Sequence, residues 1–529
     1  MGRAVAARVT VRFPAMTRLD AGLSRGNTPL AMRPLSLFRT VVCFLLAVSA
    51  AFSADTTGEK KKPNFVIILA DDLGYGDLGC YGHPTIRTPN LDRMAAEGVR
   101  FTDFYVAAEV CTPSRAALLT GRYPIRSGMA HSQFRVLRRE STGYLPDDEI
   151  TIASLLKKQG YATGAVGKWH LGNWMNNPAG HPMKHGFDSY FGLPHSNDMN
   201  RVPGGPKGED NSLDPDPKWW QPPLFDGEKL IEQPTDQTQL TRRYAEKSVE
   251  FIKAHKAEPF FLYFASTFPH TPLFASEKFK NKTPRGRYGD VVEELDWAVG
   301  QILDTLRSEG LDKNTMVFFT SDNGPWLIRG LAGGSAGLLR DGKGSTWEGG
   351  MREPGIAWWP GKIPAGKVCH EMATTMDLLP TIAHFAGTEA PKDREMDGVD
   401  IGPLLTSDDA SWSIVTESNV SVGGTTQTLT GKLTLDSHRK VFCYYRGTEL
   451  FAARLGPWKA HFITQPAYGA AKPEPHDPPL LFNLEADPGE SFECGADHPD
   501  IIAEIKAAVE KHKATVKPVK NQLVETVAK

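Results

Sequence analysis

Cysteine is scarce in this chain: there are six in 529 residues, and none falls in a CxxC pair. That excludes a thiolate zinc site of the usual spacing and a disulfide-dense scaffold. Charge of one sign is lacking too, since 60 Lys plus Arg against 62 Asp plus Glu leave a net charge of −2. No global basic field exists to hold nucleic acid or an anionic membrane surface. Internal repeats are absent, and no apolar run reaches the length of a confident membrane span. Length, by contrast, is ample. At 529 residues the chain exceeds what one compact core usually holds, so a large domain with a smaller one is expected.

The first residues read as targeting sequence. Arg33 and Arg39 precede the apolar run VVCFLLAVSAAF, Val41 to Phe52, and a polar, lysine-rich stretch comes next. Residues 1–54 are therefore an N-terminal extension and secretory signal peptide, cut around Ala51 to Ala54, and initiation at Met32 would give a signal of ordinary length. A single N-terminal anchor is the alternative, for which the run is short. The expected location is secreted or periplasmic. Processing would remove Cys43, leaving Cys80, Cys369, Cys443 and Cys494 as disulfide candidates beside Cys111, with no pairing legible.

The rest of the chain is organised around CTPSRAALLTGR, Cys111 to Arg122. Pro113 suits a first helical turn, Ala116 to Leu119 carry the helix on, and Gly121 stops it. Cys111 is thereby placed at a helix N-terminus, where free N–H groups and the helix dipole gather an anion and Arg115 can clamp it. A lone Cys there would more often be a core residue. Its neighbours in sequence change that reading.

Two buried-strand patterns end in oxygen donors. NFVIILA, Asn64 to Ala70, runs into Asp71 and Asp72, and TMVFFT, Thr315 to Thr320, runs into Asp322 and Asn323. Continuous apolar runs of this kind belong to parallel strands buried on both faces, and ligands collect at their carboxyl ends. An all-oxygen donor set favours Ca²⁺ or Mg²⁺ over zinc. A strand from Tyr161 to Val166 is followed by Lys168 and His170, one from Phe260 to Ala265 by His270, and Lys343 sits in the glycine-rich RDGKGSTWEGG. Singly these would be solvated charges or turns. Residues 203–223, rich in Pro, Gly and Asp, read as a loop or as a cleft wall whose Trp219 and Trp220 stack on sugars.

From Pro63 to about Gly489 these segments resemble the formylglycine-dependent sulfatase family, in the branch containing arylsulfatase A and N-acetylgalactosamine-6-sulfatase. The resemblance rests on CTPSRAALLTGR, DDLGYGDLGCYGHP, GYATGAVGKWHLG, TSDNGP, GKGSTWEGGMREP and PLLFNLEADPGE. It implies an α/β sandwich around a mostly parallel sheet, as in alkaline-phosphatase-like enzymes, over residues 63–405. A smaller antiparallel sheet with a helix is expected over 411–529. It implies hydrolysis of sulfate esters, with sulfated glycans the expected substrates. Formylglycine made from Cys111 by a maturation machinery would be the nucleophile. One calcium ion would be held by Asp71, Asp72, Cys111, Asp322 and Asn323. Arg115, Lys168 and Lys343 would contact sulfate, as would Ser196. Asp322 would help activate the nucleophile, His270 with Lys343 would assist departure of the alcohol, and His170 would act as the base that releases sulfate. Asp341 stands where lysosomal relatives carry a disulfide cysteine, so that cross-link is not implied here. Rival readings are a phosphodiesterase or phosphonate hydrolase of the same superfamily and a non-catalytic sulfated-carbohydrate-binding protein.

Overall fold

Strands too apolar to face water on either side dictate a sheet covered on both. The computed structural model describes residues 61–205, 213–407, 419–422, 425–428, 439–468 and 471–527. The signal segment with Cys43, and residues 206–212 of the insertion, lie outside them. Strand β1 (Asn64–Ala70) sends Phe65, Ile67 and Leu69 into one core with Phe101, Ile152 and Leu378. It sends Val66, Ile68 and Ala70 into a second core with Leu91, Val292 and Leu303. Both faces are dry, hence the unbroken apolar run.

Ten further strands extend this sheet: β2 (Val99–Tyr105), β3 (Ala162–Lys168), β4 (Ser189–Leu193), β5 (Leu224–Asp226), β6 (Lys229–Glu232), β7 (Phe260–Ala265), β8 (Thr315–Ser321), β9 (Arg352–Trp358), β10 (Lys367–Cys369) and β11 (Ala373–Thr374). Their order is β10-β2-β9-β8-β1-β7-β3-β4-β5-β6, with β11 beside β2. The central run β8-β1-β7-β3-β4 is parallel. Antiparallel β9 joins β8 to β2, and β5 and β6 form an antiparallel edge. Helices α1 (Pro89–Ala96), α2 (Cys111–Thr120), α3 (Ile152–Lys158), α4 (Leu240–Ala254), α5 (Arg287–Ser308) and α6 (Leu378–Phe385) cover the two faces. Apolar residues of α1, α4 and α5 enter the second core, and those of α2, α3 and α6 the first. This is the α/β sandwich around a mostly parallel sheet that the motifs imply.

After a short hairpin, β12 (Asn419–Val422) and β13 (Thr425–Thr428), the pattern changes. Strands β14 (Val441–Arg446), β15 (Glu449–Leu455), β16 (Trp458–Thr464) and β17 (Glu474–Asn483) form an antiparallel sheet. Helix α7 (Pro499–Lys513) buries Ile502, Ile505 and Val509 against it, in a core that also takes Tyr105, Ala117 and Met351 from the main body.

Two details depart from the sequence reading. Lys168 is the last residue of β3 rather than a loop residue beyond it. Trp220 is only 8% exposed and shares the second core with Phe191 and Leu224, so it offers no face to a sugar. Trp219 packs half-buried against the same core. Cys80, Cys111, Cys369, Cys443 and Cys494 are all free thiols.

A buried ion cluster pins the small sheet to the segment carrying Lys343. Lys459 Nζ in β16 donates to Thr346 O at 2.8 Å and lies 2.9 Å from both Glu348 Oε1 and Glu490 Oε1. Glu490 Oε2 accepts the Glu348 N–H at 2.7 Å, and His461 Nε2 lies 2.7 Å from Glu490 Oε1. Burial would raise the pKa of Glu348, but the charges of Lys459, Arg352 and Arg454 outweigh it and bring it to about 2. Its contribution to stability is thus fully present above the ordinary carboxylate range and is lost as pH falls through about 2. Removing one partner of such a cluster leaves buried charge uncompensated. Lys459→Met should therefore lower unfolding stability by about 3–5 kcal/mol in a denaturant titration. A loss under about 1 kcal/mol, the range of an exposed pair, would show that the cluster does not hold the two sheets together.

Candidate active site

Because β1, β8, β7 and β3 run parallel, their carboxyl ends share one edge of the sheet, and the residues just past each strand are delivered to one place. Asp71 and Asp72 come after β1, Asp322 and Asn323 after β8, and Lys168 ends β3 with His170 two residues on. His270 lies past β7 in a loop containing the cis peptides Phe268–Pro269 and Thr271–Pro272. Helix α2 brings Cys111 and Arg115 to the same edge, and Lys343 arrives from the segment before β9. The structure thus brings together every residue expected to act in catalysis, metal binding or sulfate contact, Ser196 included, and none of these is more than 5% exposed.

The charges are interleaved. Lys168 Nζ lies 2.6 Å from Asp71 Oδ2, and Lys343 Nζ lies 2.7 Å from Asp72 Oδ1. Arg115 reaches Asp322 Oδ2 at 2.8 Å through Nε, lies 3.5 Å from Asp71 through Nη2, and donates to Lys168 O at 2.7 Å through Nη1. Asp322 Oδ1 accepts the Asp72 N–H at 3.2 Å, and Asn323 Nδ2 donates to Asp72 Oδ1 at 2.7 Å. Cys111 Sγ sits 3.7 Å from both Asp71 Oδ1 and Lys343 Nζ.

Two residues here bend the chain in ways the sequence did not announce. Asp72 has φ 64° and His170 has φ 63°, left-handed conformations that cost of order 1–3 kcal/mol each in a non-glycine residue. Successive strand residues face opposite ways; the turn at Asp72 lets it share one cluster with Asp71.

Burial sets the protonation states. The Cys111 thiol is pushed up to about 12 by burial, although Lys168 and Lys343 pull the other way. Burial, and then the Lys168 charge, hold His170 well below its ordinary value, so the ring is neutral. Its Nε2 is 2.8 Å from Leu137 O, an acceptor, so Nε2 carries the proton. Nδ1 is a buried lone pair with no partner among the described residues. His270 is likewise neutral, lowered by burial and by Lys343 and Lys168. Its Nδ1 donates to Thr271 O at 2.6 Å, which leaves Nε2 as an acceptor 3.3 Å from Ser196 Oγ and 3.6 Å from Asp72 Oδ2. Lys343, raised well above its ordinary value because Asp72 and Cys111 outweigh its burial, carries the proton of that pair.

The donors suit a hard cation. Ligand atoms of Asp71, Asp72, Cys111 and His270 lie within 4.8 Å of one another. Burial raises the pKa of Asp72 and of Asp322, and Asn323 Oδ1 is a buried acceptor with no partner among the described residues. His270 was not foreseen beside these carboxylates. Nor were Trp326, whose ring packs against Lys343 and His270, and Tyr468, whose ring packs on Trp326; the only available signal was that Trp326 lies three residues after Asn323.

The sulfatase family profile matches residues 63–388, and the profile described as the C-terminal region of aryl-sulfatase matches residues 437–528. The chain belongs to the sulfatase family. It is 41% identical over 513 residues to N-acetylgalactosamine-6-sulfatase of Sus scrofa, covering 90% of this chain and 91% of that one. It is 42% identical over 497 residues to arylsulfatase A of Bos taurus, covering 88% and 89%. Among solved structures, Ps i-CgsB in complex with k-i-k-neocarrahexaose is similar at 29% identity with a TM-score of 0.68, covering 88% of this chain and 95% of that one. This sulfatase is a sulfuric ester hydrolase. No helix among its described residues is long and apolar enough to cross a membrane.

If these carboxylates hold a divalent cation, adding Ca²⁺ to chelator-treated protein should raise its melting temperature, because an ion bound only by the folded state stabilises that state. Asp322→Ala should abolish that increment. Stabilisation by Zn²⁺ alone, in a calorimetric melt with each ion, would contradict an oxygen-donor site.

Proposed function

We propose that this sulfatase removes sulfate from sulfated glycans, with residue 111 working as formylglycine and one calcium ion bound at the carboxylate cluster. The observation that carries the reading is the closed set of Asp71, Asp72, Asp322, Arg115, Lys168 and Lys343 around Cys111 at the N-terminus of α2. An unmodified thiol is a poor nucleophile here, because the thiolate is the reactive form and burial keeps it protonated. Oxidation by the formylglycine-generating machinery would supply a hydrated aldehyde, two hydroxyls on one carbon, one to attack sulfur and one to expel sulfate. Asp71, Asp72, Asp322, Asn323 and residue 111 would hold calcium, which supplies Lewis-acid polarisation of a sulfate oxygen.

The chain's own groups divide the remaining work. Asp322, whose buried carboxylate is more basic than usual, takes the proton of the attacking hydroxyl. Arg115, Lys168 and Lys343 face the negative sulfuryl oxygens as fixed positive charges that need no reorganisation. Lys343 holds its proton toward the departing alcohol oxygen, with His270 and Ser196 beside it. His170, neutral and with a free Nδ1, is the base for the second hydroxyl; its carbonyl is tied to the nucleophile's neighbour by the 3.1 Å bond from Thr112 Oγ1.

Glycans are the substrate class because N-acetylgalactosamine-6-sulfatase is so similar over most of both chains and Ps i-CgsB was captured with an oligosaccharide. A secreted or periplasmic setting, with residues 63–405 as the catalytic domain and 411–529 as the smaller one, completes the reading. Rates on paired 4-nitrophenyl esters test it. Sulfate should exceed phosphate in kcat/KM by at least about tenfold, ~1.4 kcal/mol of transition-state preference. Cys111→Ala should lower sulfate turnover by at least about 10³-fold. Preference for phosphate, or turnover surviving in Cys111→Ala, would contradict the assignment.

A further inference from the structure

Of the two residues expected to stack on sugar, Trp220 is buried and Trp219 packs against the second core, yet a different aromatic pair stands beside the reacting groups. Tyr468, in the loop after β16, and Trp326, after β8, pack with ring centroids 6.1 Å apart and planes inclined by 35°. Both are half-buried. Trp326 lies 5.2 Å from the His270 ring, and Lys343 Nζ is 4.3 Å from its centroid. Arg329 stacks on the same indole at 3.9 Å. Tyr468 has no cation over its ring among the described residues. It crosses the backbone at Gly344, where an added Cβ would lie 3.3 Å from Tyr468 Cε2.

The small sheet holds this tyrosine in place. Arg446, at the end of β14, donates to the carbonyls of Pro466 and Ala467 at 3.1 Å each, and the Ala467 N–H donates to Asp341 Oδ2 at 3.0 Å. Burial, more than the mixed charges of Lys343, Asp72, Arg135 and Cys111 around it, raises the tyrosine's pKa. Arg135 is paired with buried Glu109 at 2.7 Å and donates to Gly344 O at 3.1 Å, which fixes the backbone beside the tyrosine.

We infer that Tyr468, backed by Trp326, is the wall against which the pyranose ring bearing the scissile sulfate packs, on the leaving-group side of Lys343 and His270. This rests on the glycan sulfatase reading above. A pyranose buries its C–H face on an aromatic ring while its hydroxyls stay free for polar contacts, the usual division in a pocket with aromatic walls and few polar groups. Arg329, stacked on the Trp326 indole, suits a sugar within a polyanion better than an apolar sulfate.

The test uses full-length protein carrying Cys111→Ala, so that ligands persist, and calorimetric Kd values for galactose 6-sulfate and methyl sulfate. The sugar ester should bind more tightly than methyl sulfate. Tyr468→Ala and Tyr468→Leu should each lower that preference about tenfold, and Tyr468→Phe should keep it within about threefold. Equal affinity for the two esters, a preference that survives Tyr468→Ala, or a loss in Tyr468→Phe as large as in Tyr468→Ala would overturn the wall. Turnover by the wild type is read separately: sugar preference without hydrolysis would sink the proposed activity and leave the wall standing.

Discussion

Everything at the strand ends depends on one constraint: three carboxylates and three cations are buried together, and each must find its opposite. A carboxylate moved from water into a protein interior costs several kcal/mol, which only close, well-oriented partners offset. Asp71 has Lys168, Asp72 has Lys343, and Asp322 has Arg115, all within 2.8 Å. The side chains of the cage therefore sum to no net charge as the chain stands. A divalent cation bound among the carboxylates would leave a surplus of two positive charges, which matches a sulfate dianion held by the same lysines and arginine. Metal and product charge would then balance in the same small volume, which would link binding of the one to binding of the other.

Such a cage has to be held from outside, because neither lysine belongs to the strands that carry the carboxylates it meets. Lys168 is fixed by the register of β3 beside β7, which pairs with β1. Lys343 lies in a glycine-rich segment with little stiffness of its own, and the small antiparallel sheet supplies it. Lys459 and Glu490 grip Thr346 and Glu348, and Arg340 donates to Glu490 O at 2.8 Å. Positive φ at Asp72 and His170 is strain that this surrounding structure carries.

Much of this was legible in the residues. NFVIILA, TMVFFT and FFLYFA are strands because only a doubly covered sheet accepts such runs, and their endings in Asp71, Asp72, Asp322 and His270 place those groups at one edge once the strands are parallel. CTPSR gave the helix start through Pro113. The resemblance of longer motifs supplied Lys343 and Ser196, which no periodicity would reveal. Three features stayed hidden. The inward fold of Trp220 depends on apolar surface from Phe191 in β4, distant in sequence. The meeting of Tyr468 with Trp326 depends on docking of the small sheet. The direction of the His270 proton depends on a single backbone carbonyl, Thr271 O.

In the proposed reaction residue 111 acts as an aldehyde hydrate and not as a thiol. The most direct measurement is the mass of the peptide containing position 111, taken from protein preparations of graded specific activity. A species lighter by the difference between a CH₂SH and a CHO group is expected, in a fraction that rises in proportion to activity. Full activity in a preparation whose position 111 is entirely thiol would contradict it.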